Sequence, residues 1–181
     1  MWVMYVISAG VGLIVISQAS PIGQELAQLD PIVAGGAVTI LALFNGLGRP
    51  GFGWISDVIG RRWAMVLLFL LHMGALLFVL PNATNFAVYV LGVSMVGFAY
   101  GGCFSLMPAF TADSFGTKNL GVNYGWLFSA YGVAGALLTL FAIQTREVTG
   151  AWTTAFYFMA AACAVGLLLT LVIRSPVAKR P

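Results

Sequence analysis

The chain has 181 residues, of which 61% are hydrophobic and only 7% are charged. Soluble domains carry about 25% charged residues, so this composition excludes an ordinary soluble fold and predicts a protein that lies in lipid. The net charge of +3 is spread along the chain and forms no basic stripe of the kind that binds nucleic acid, so no nucleic-acid partner is expected.

Apolar runs of about twenty residues follow one another along the chain, long enough for a helix to cross a hydrocarbon core of about 30 Å. Six such runs occupy residues 2–19, 32–54, 64–80, 86–107, 122–143 and 152–173. None shows the alternation of apolar and polar residues that is typical of a membrane β-strand. The sequence therefore predicts an all-α membrane protein in which residues 1–181 form a single domain of six transmembrane helices.

The basic residues predict an orientation in the membrane. If the six runs alternate in direction, Arg146 lies on one side and six other basic residues lie on the opposite side: Arg61, Arg62, Lys118, Arg174, Lys179 and Arg180. Basic residues are enriched in cytoplasmic loops. Both termini are therefore expected in the cytoplasm, and the expected location is the inner (plasma) membrane.

The turn between the second and third runs, GWISDVIGRR at 53–62, combines opposite charges in a very short segment. Asp57 is expected to cap the start of the third helix, with Arg61 folding back toward it. Gly53 and Gly60 remove side chains where two helices and a tight turn must approach each other. The alternative is an ordinary charged turn that follows the rule for cytoplasmic loops.

Arg49 lies inside the second apolar run, where an arginine at the membrane centre costs about 2.5 to 3.5 kcal/mol. An arginine fork that grips a carboxylate in two places would offset this cost. Asn45 lies one helical turn earlier on the same face. The alternative is that Arg49 extends toward the membrane surface near Trp54, which is roughly 7.5 Å away along a helix.

Small residues at four-residue spacing predict two places of close helix approach, at Gly97 with Gly101 and at Gly121 with Gly125. His72 is either a proton relay or, more simply, a hydrogen-bonded packing residue. The sequence contains no catalytic triad, metal-binding cluster or nucleotide-binding glycine loop. No enzyme activity, metal or cofactor is therefore expected.

The short turn also carries a family resemblance. Gly53, Asp57, Gly60, Arg61 and Arg62 match the G-x-x-x-D-x-x-G-R-[RK] signature of the major facilitator superfamily. In that family the signature lies between spans two and three, recurs less strictly between spans eight and nine, and helps to latch the cytoplasmic face. The resemblance implies that these five residues form a gating motif and do not touch substrate.

A second resemblance is narrower. The strings NGLGRP at 45–50 and YGGCFSLMP at 100–108 resemble spans eight and ten of the oxalate/formate antiporter family and related monocarboxylate carriers. The resemblance aligns the chain with spans seven to twelve, the second half of such a carrier. It implies that Arg49 binds a substrate carboxylate and that Tyr100 and Phe104 line the cavity. Asn45 joins the expected binding site because it lies on the same helix face as Arg49.

One departure from that family bears on substrate. The oxalate carrier has a lysine in span eleven, and the aligned position here is Tyr131, with no Lys or Arg anywhere in 122–143. A dianion would leave one carboxylate without a full positive partner. Oxalate is therefore less expected than a monocarboxylate such as formate, lactate or pyruvate, to which Tyr131 would donate one hydrogen bond.

The expected function is secondary transport of small organic anions by alternating access, as half of a twelve-span carrier in the lipid bilayer. The missing wall would come from an amino-terminal six-span half or from a second copy of the chain. The alternative is a non-transporting membrane subunit or a truncated fragment that needs a partner half. The sequence favours neither exchange, as in an antiporter, nor proton symport.

Overall fold

A computed structural model of the protein describes residues 1–173. Arg174, Lys179 and Arg180, which contribute to the predicted orientation, lie outside the described residues. Within 1–173 the chain contains no strand and six helices that are long and apolar enough to cross a membrane. The predicted class, an all-α membrane protein with six spans, is confirmed.

The six helices are numbered here in chain order. Their bounds are α1 Trp2–Leu26, α2 Pro31–Ile59, α3 Arg61–Asn82, α4 Phe86–Phe115, α5 Leu120–Thr149 and α6 Trp152–Val172. A π-helical turn interrupts α3 at Ala75–Val79, before its last 3₁₀ turn, and another interrupts α5 at Ala134–Leu138.

Most of the helices run past the predicted apolar runs. α1 continues through Pro21 to Leu26, whereas its run was expected to end at residue 19. α2 has 29 residues, which corresponds to about 43 Å of helix and exceeds the hydrocarbon thickness of about 30 Å. The additional turns carry polar residues into the headgroup region and water, and for this reason apolar run length does not detect them.

Glycine ends three of these helices. Gly60 follows α2 with φ +87°, Gly116 follows α4 with φ +77° and Gly150 follows α5 with φ +74°, a region that residues with a Cβ adopt at a steric cost. Asp57 lies inside α2, and no side chain caps the start of α3. The prediction that Asp57 caps α3 was wrong because α2 continues past Asp57 until Gly60 interrupts it.

The alternating helices give the bundle two ends. We call the end with the 53–62 turn the signature end, and the end where α1 joins α2, α3 joins α4 and α5 joins α6 the distal end. Arg62 donates to the carbonyl oxygen of Leu171, so the last turn of α6 lies beside the start of α3 at the signature end. Lys118, between α4 and α5, lies at the same end, whereas Arg146 lies near the distal end of α5.

α1 and α4 form the centre of the bundle, and α2 packs along α4 with little space between the two backbones. A Cβ on Gly97 would lie 2.7 Å from the carbonyl oxygen of Leu41, and Gly101 lies against the carbonyl oxygen of Asn45. The predicted close approach at these two glycines is present. At Gly121 and Gly125 a Cβ would meet no atom of the described chain within 4 Å, so no such approach occurs there.

Candidate functional site

Arg49 lies close to the middle of α2 along the helix axis. Asn45 is the central residue of α2, and Arg49 follows it by one turn, about 6 Å. Ten residues, or about 15 Å of helix, separate Arg49 from Ile59 at the signature end. The side chain of Arg49 packs beside an aromatic ring of α4. Its guanidinium carbon lies over the ring of Phe104 on α4, 5.2 Å from the centroid, within the range of a cation–π interaction.

The main-chain oxygen of Arg49 accepts a hydrogen bond from a residue of α4. Pro50 has no amide hydrogen, so α2 loses the bond that this residue would make to the Gly46 carbonyl. The Ser105 hydroxyl donates to the main-chain oxygen of Arg49, with 2.5 Å between the two oxygens. This hydrogen bond fixes the position of Arg49 along the α4 axis, next to Phe104.

The ring of Phe104 brings the predicted residues together. Tyr100 meets this ring edge to face at 5.1 Å and Tyr131 meets it at 5.8 Å, both measured between centroids. The Tyr100 hydroxyl donates to the Tyr131 hydroxyl at 3.2 Å. Four of the five predicted substrate-binding residues therefore meet at the Phe104 ring of α4, which Tyr100 contacts from the same helix, Arg49 from α2 and Tyr131 from α5.

Three aromatic residues that the sequence did not single out complete this group. The hydroxyls of Tyr5 on α1 and Tyr124 on α5 lie 3.2 Å apart, and Phe128 stacks on Tyr131 with 5.3 Å between centroids. We call the whole set the aromatic cluster: Tyr5, Tyr100, Phe104, Tyr124, Phe128 and Tyr131. The spacing of Tyr124, Phe128 and Tyr131 by four and three residues could have shown their common helix face. Only tertiary packing brings Tyr5 to them.

Asn45, the fifth predicted residue, forms no hydrogen bond with the aromatic cluster among the described residues. Its side-chain oxygen Oδ1 is buried and has no hydrogen-bond partner among the described residues. A buried acceptor that stays unpaired costs about 1–3 kcal/mol. The amide one turn before Arg49 therefore has unused hydrogen-bonding capacity.

The residues of the predicted gating motif form a polar network at the signature end. Arg61 pairs with Asp57, with 2.6 Å between Nη1 and Oδ1, and also donates to the Ser56 hydroxyl. The Arg61 Nε lies 3.4 Å from Oδ2 of Asp113, near the end of α4. Asp113 is a further functional candidate that the sequence analysis missed, since 52 residues separate it from Arg61.

Arg62 contacts a different helix, since its guanidinium donates a hydrogen bond to the carbonyl oxygen of Leu171 near the end of α6. Gly53 and Gly60 have open space around their Cβ positions, so neither fits a tight contact in the described chain. Gly60 permits the turn through its positive φ, whereas Gly53 lies inside α2. The motif thus ties the α2–α3 turn to the ends of α4 and α6, and none of its residues contacts the aromatic cluster through a hydrogen bond or ion pair.

The remaining candidates lie outside this arrangement. His72 is fully buried and packs within the bundle. Cys103 and Cys163 are buried and unpaired. Within residues 1–173 no three His, Cys, Asp or Glu side chains are grouped as they would be around a metal ion.

Comparison with known proteins places this arrangement in a family. The family model described as Major Facilitator Superfamily matches residues 1–181. The chain is 35% identical over 134 residues to an uncharacterized MFS-type transporter, YhjX, of Escherichia coli K12, covering 72% of the chain and 33% of that protein. It is 30% identical over 158 residues to the oxalate:formate antiporter of Oxalobacter formigenes, covering 82% of the chain and 35% of that protein.

A third relative is the apicoplast pyruvate carrier 1 of Toxoplasma gondii, 35% identical over 111 residues, which is 59% of the chain and 20% of that protein. The sequence-based resemblance to the superfamily, with an oxalate:formate antiporter among the relatives, is confirmed. The chain spans about a third of the length of the first two of these relatives.

Proposed function

Because the chain belongs to the major facilitator superfamily, we propose that it transports small organic anions by alternating access, as one half of a twelve-span carrier. The position of Arg49 carries this proposal, because a permanent cation lies near the middle of a membrane helix beside the aromatic cluster. The four tyrosines and two phenylalanines of this cluster come from α1, α4 and α5. Relatives named for oxalate and formate exchange and for pyruvate transport support an organic anion.

The charge of the site favours a monocarboxylate over oxalate. Arg49 supplies one positive charge, and residues 122–143 of α5 contain no Lys or Arg. A carboxylate held away from water without a cation is strongly unfavourable. The hydroxyls of Tyr100 and Tyr131 and the Nδ2 group of Asn45 are neutral hydrogen-bond donors. Formate, lactate and pyruvate fit this combination of one cation and several neutral polar groups.

The network around Arg61 is the proposed cytoplasmic gate. It joins the α2–α3 turn to α4 through ion pairs that are partly exposed, and such pairs contribute only about 0.2 to 1 kcal/mol each. Contacts this weak hold two helix ends together and still separate during a transport cycle. The signature end is accordingly the proposed cytoplasmic side, with both termini in the cytoplasm and the inner (plasma) membrane as the location.

A partner half is part of the proposal. An 18-residue apolar stretch of α2 and one of α5 are each 22% buried, against 61% for α1 and 67% for α4. Arg49 itself is exposed although it lies near the middle of a membrane helix. A charged side chain in that position normally faces the interior of a bundle or a water-filled cavity. An amino-terminal six-span half or a second copy would supply the opposite wall of that cavity.

Substitution of Arg49 tests the site. In the purified chain, together with any half that co-purifies with it, Arg49→Gln is expected to weaken binding of radiolabelled pyruvate, lactate and formate at least tenfold, because each charge-assisted hydrogen bond contributes about 1.5 to 3 kcal/mol. Arg49→Lys keeps the positive charge but loses the two-pronged guanidinium. Its anion affinity is expected to lie between those of the parent and Arg49→Gln. Lys118→Gln removes an equal charge from an exposed loop and serves as the control.

Adding a cation tests the monocarboxylate assignment in the same assay. Tyr131→Lys places a second positive charge beside the Phe104 ring, which the Arg49 side chain also contacts. Oxalate binding is then expected to increase relative to formate binding. Unchanged anion binding in Arg49→Gln would overturn the site, whereas an unchanged oxalate-to-formate ratio in Tyr131→Lys would overturn only the argument on substrate charge.

A further inference from the structure

The distal end has an interhelical ion pair that the gating motif does not include. Arg146, near the end of α5, donates two hydrogen bonds to Oε2 of Glu25, near the end of α1, at 2.7 Å from Nη2 and 3.2 Å from Nε. The Arg146 guanidinium also lies 5.9 Å from the ring centroid of Trp152 at the start of α6. These contacts join the distal ends of α1 and α5.

The α1 side of this pair is firmly anchored. Tyr89 of α4 is fully buried, and its hydroxyl donates to the carbonyl oxygen of Ala19. Its ring lies against Gly23, where a Cβ would come within 2.8 Å of it, and the neighbouring Ile22 is also fully buried. Glu25 is therefore presented from a helix end that α4 holds in place.

The α5 side is loosely packed. In the segment Thr139–Thr149, which we call the distal segment of α5, Ala142 is the one buried residue. The π-helical turn Ala134–Leu138 separates this segment from Tyr131 and the rest of the aromatic cluster. A π turn interrupts the regular hydrogen-bond pattern of an α-helix, is a known cause of helix kinks, and occurs frequently at functional sites. The helix therefore has a natural point of bending between the candidate site and Arg146.

We propose that the distal segment of α5 is a gate over the distal side of the site, hinged at Ala134–Leu138 and held closed against α1 by the Glu25–Arg146 pair. This inference rests on the proposed transport function, since a gate requires a site to close. It assigns a fixed side, which is α1 with Glu25, and a moving side, which is α5 with Arg146.

The surroundings of the pair fit a contact that opens and closes. A cavity of about 430 Å³, lined by Pro21, Gln24, Glu25 and Arg146, lies beside it. Water that enters this cavity can solvate both charges when they separate, so opening costs little. On the site side, Tyr131 lies three residues before the π turn and contacts Phe104, so an anion that displaces Tyr131 acts directly on the hinge.

Distance measurements between spin labels test the gate. Labels at Gln28→Cys and Val148→Cys, both exposed positions, report the separation of the distal ends of α1 and α5 in the full chain in lipid nanodiscs. Both native cysteines are buried and can stay. In Glu25→Gln the population with separated helix ends is expected to rise about two- to fivefold relative to the population with the closed distance, as for the loss of an exposed ion pair. The swapped double variant Glu25→Arg/Arg146→Glu is expected to restore the closed distance.

Glu147→Gln is the matched control because Glu147 is exposed, adjacent to Arg146 and without an ion pair in the described part of the chain. Identical distance distributions in Glu25→Gln and the parent, or equal changes in Glu25→Gln and Glu147→Gln, would overturn the gate. Failure of the transport proposal has a different signature: Arg49→Gln would retain anion binding while the Glu25→Gln distances still change.

Discussion

Arg61 interacts with two carboxylates on different helices, and this sharing defines its role. The pair with Asp57 lies within one helix end and its turn, at 2.6 Å, and holds the side chain in place. The longer contact to Asp113, at 3.4 Å, reaches across to α4. The first interaction orients the guanidinium and the second joins two helices, so the two acidic residues have distinguishable effects.

Asp113→Asn is therefore expected to destabilise the α2–α3 turn, because Asp57 cannot replace the link from Arg61 to α4. We expect this effect although the Arg61–Asp113 contact is longer than the Arg61–Asp57 contact. Hydrogen–deuterium exchange of the amides in 56–64 is expected to become about two- to fivefold faster, the range for loss of one exposed ion pair. Asp30→Asn makes the same charge change at the distal end and is expected to leave these amides unchanged. Equal exchange rates in the parent and Asp113→Asn would show that the α4 contact contributes nothing.

Individual site residues were predictable from sequence to different degrees. Arg49 is visible because a charge inside an apolar run is costly, and the structure places it against Phe104, which the family resemblance also indicated. Tyr5 and Asp113 were not predictable. Their partners lie 119 and 52 residues away, and an isolated tyrosine or a carboxylate near a helix end carries no local signal of its contact.

At the scale of elements, the contact between α2 and α4 positions the site. Gly97 and Gly101 allow the α4 backbone to approach Leu41 and Asn45, and Gly48 on α2 lies against the carbonyl oxygen of Phe98 in return. The obstacles to a larger side chain are backbone atoms, which cannot rotate aside. Asn45 and Arg49 both belong to this stretch of α2, so the spacing of the two helices also sets the position of the anion site.

Gly101→Ala is expected to destabilise the chain by about 1–3 kcal/mol, as overpacking does, because the new methyl group would meet the Asn45 carbonyl oxygen. Thermal unfolding in detergent micelles measures this, and anion binding is expected to weaken in the folded protein. Gly121→Ala adds the same methyl group at a position where the new Cβ would meet no other part of the described chain within 4 Å, so it is the control. A similar unfolding midpoint for both variants would contradict tight packing at Gly101.

The number and type of elements followed from composition, whereas their ends did not. Hydrophobic run length counts spans because each must cover a similar thickness of hydrocarbon. It misplaces ends where a helix continues beyond that thickness, as α1 does through Pro21. Gly60 and Gly116 set two of the true ends through positive φ angles, and a sequence with 22 glycines does not show which ones adopt them.

For the whole molecule, the uncovered sides of α2 and α5 are the main asymmetry. Gly121 and Gly125 on α5 have the spacing that permits close helix contact in lipid, yet no helix of the described chain packs there. Tyr124, which belongs to the aromatic cluster, lies between them in the sequence. A helix from a partner half that packed on these glycines would lie next to the candidate site and close it from the open side.

Gly125→Phe is expected to leave folding of the six-helix chain unchanged and to prevent its assembly with a second half. The added ring meets no atom of this chain near its Cβ but would occupy the space that a partner helix needs. Native mass spectrometry from lipid nanodiscs is expected to show one chain per particle for Gly125→Phe and two six-helix units for the parent. Val165→Phe, at a half-exposed position on α6, is the control and is expected to assemble like the parent. A parent chain that is monomeric and binds its anion as tightly alone as in any larger particle would show that the open face has no partner.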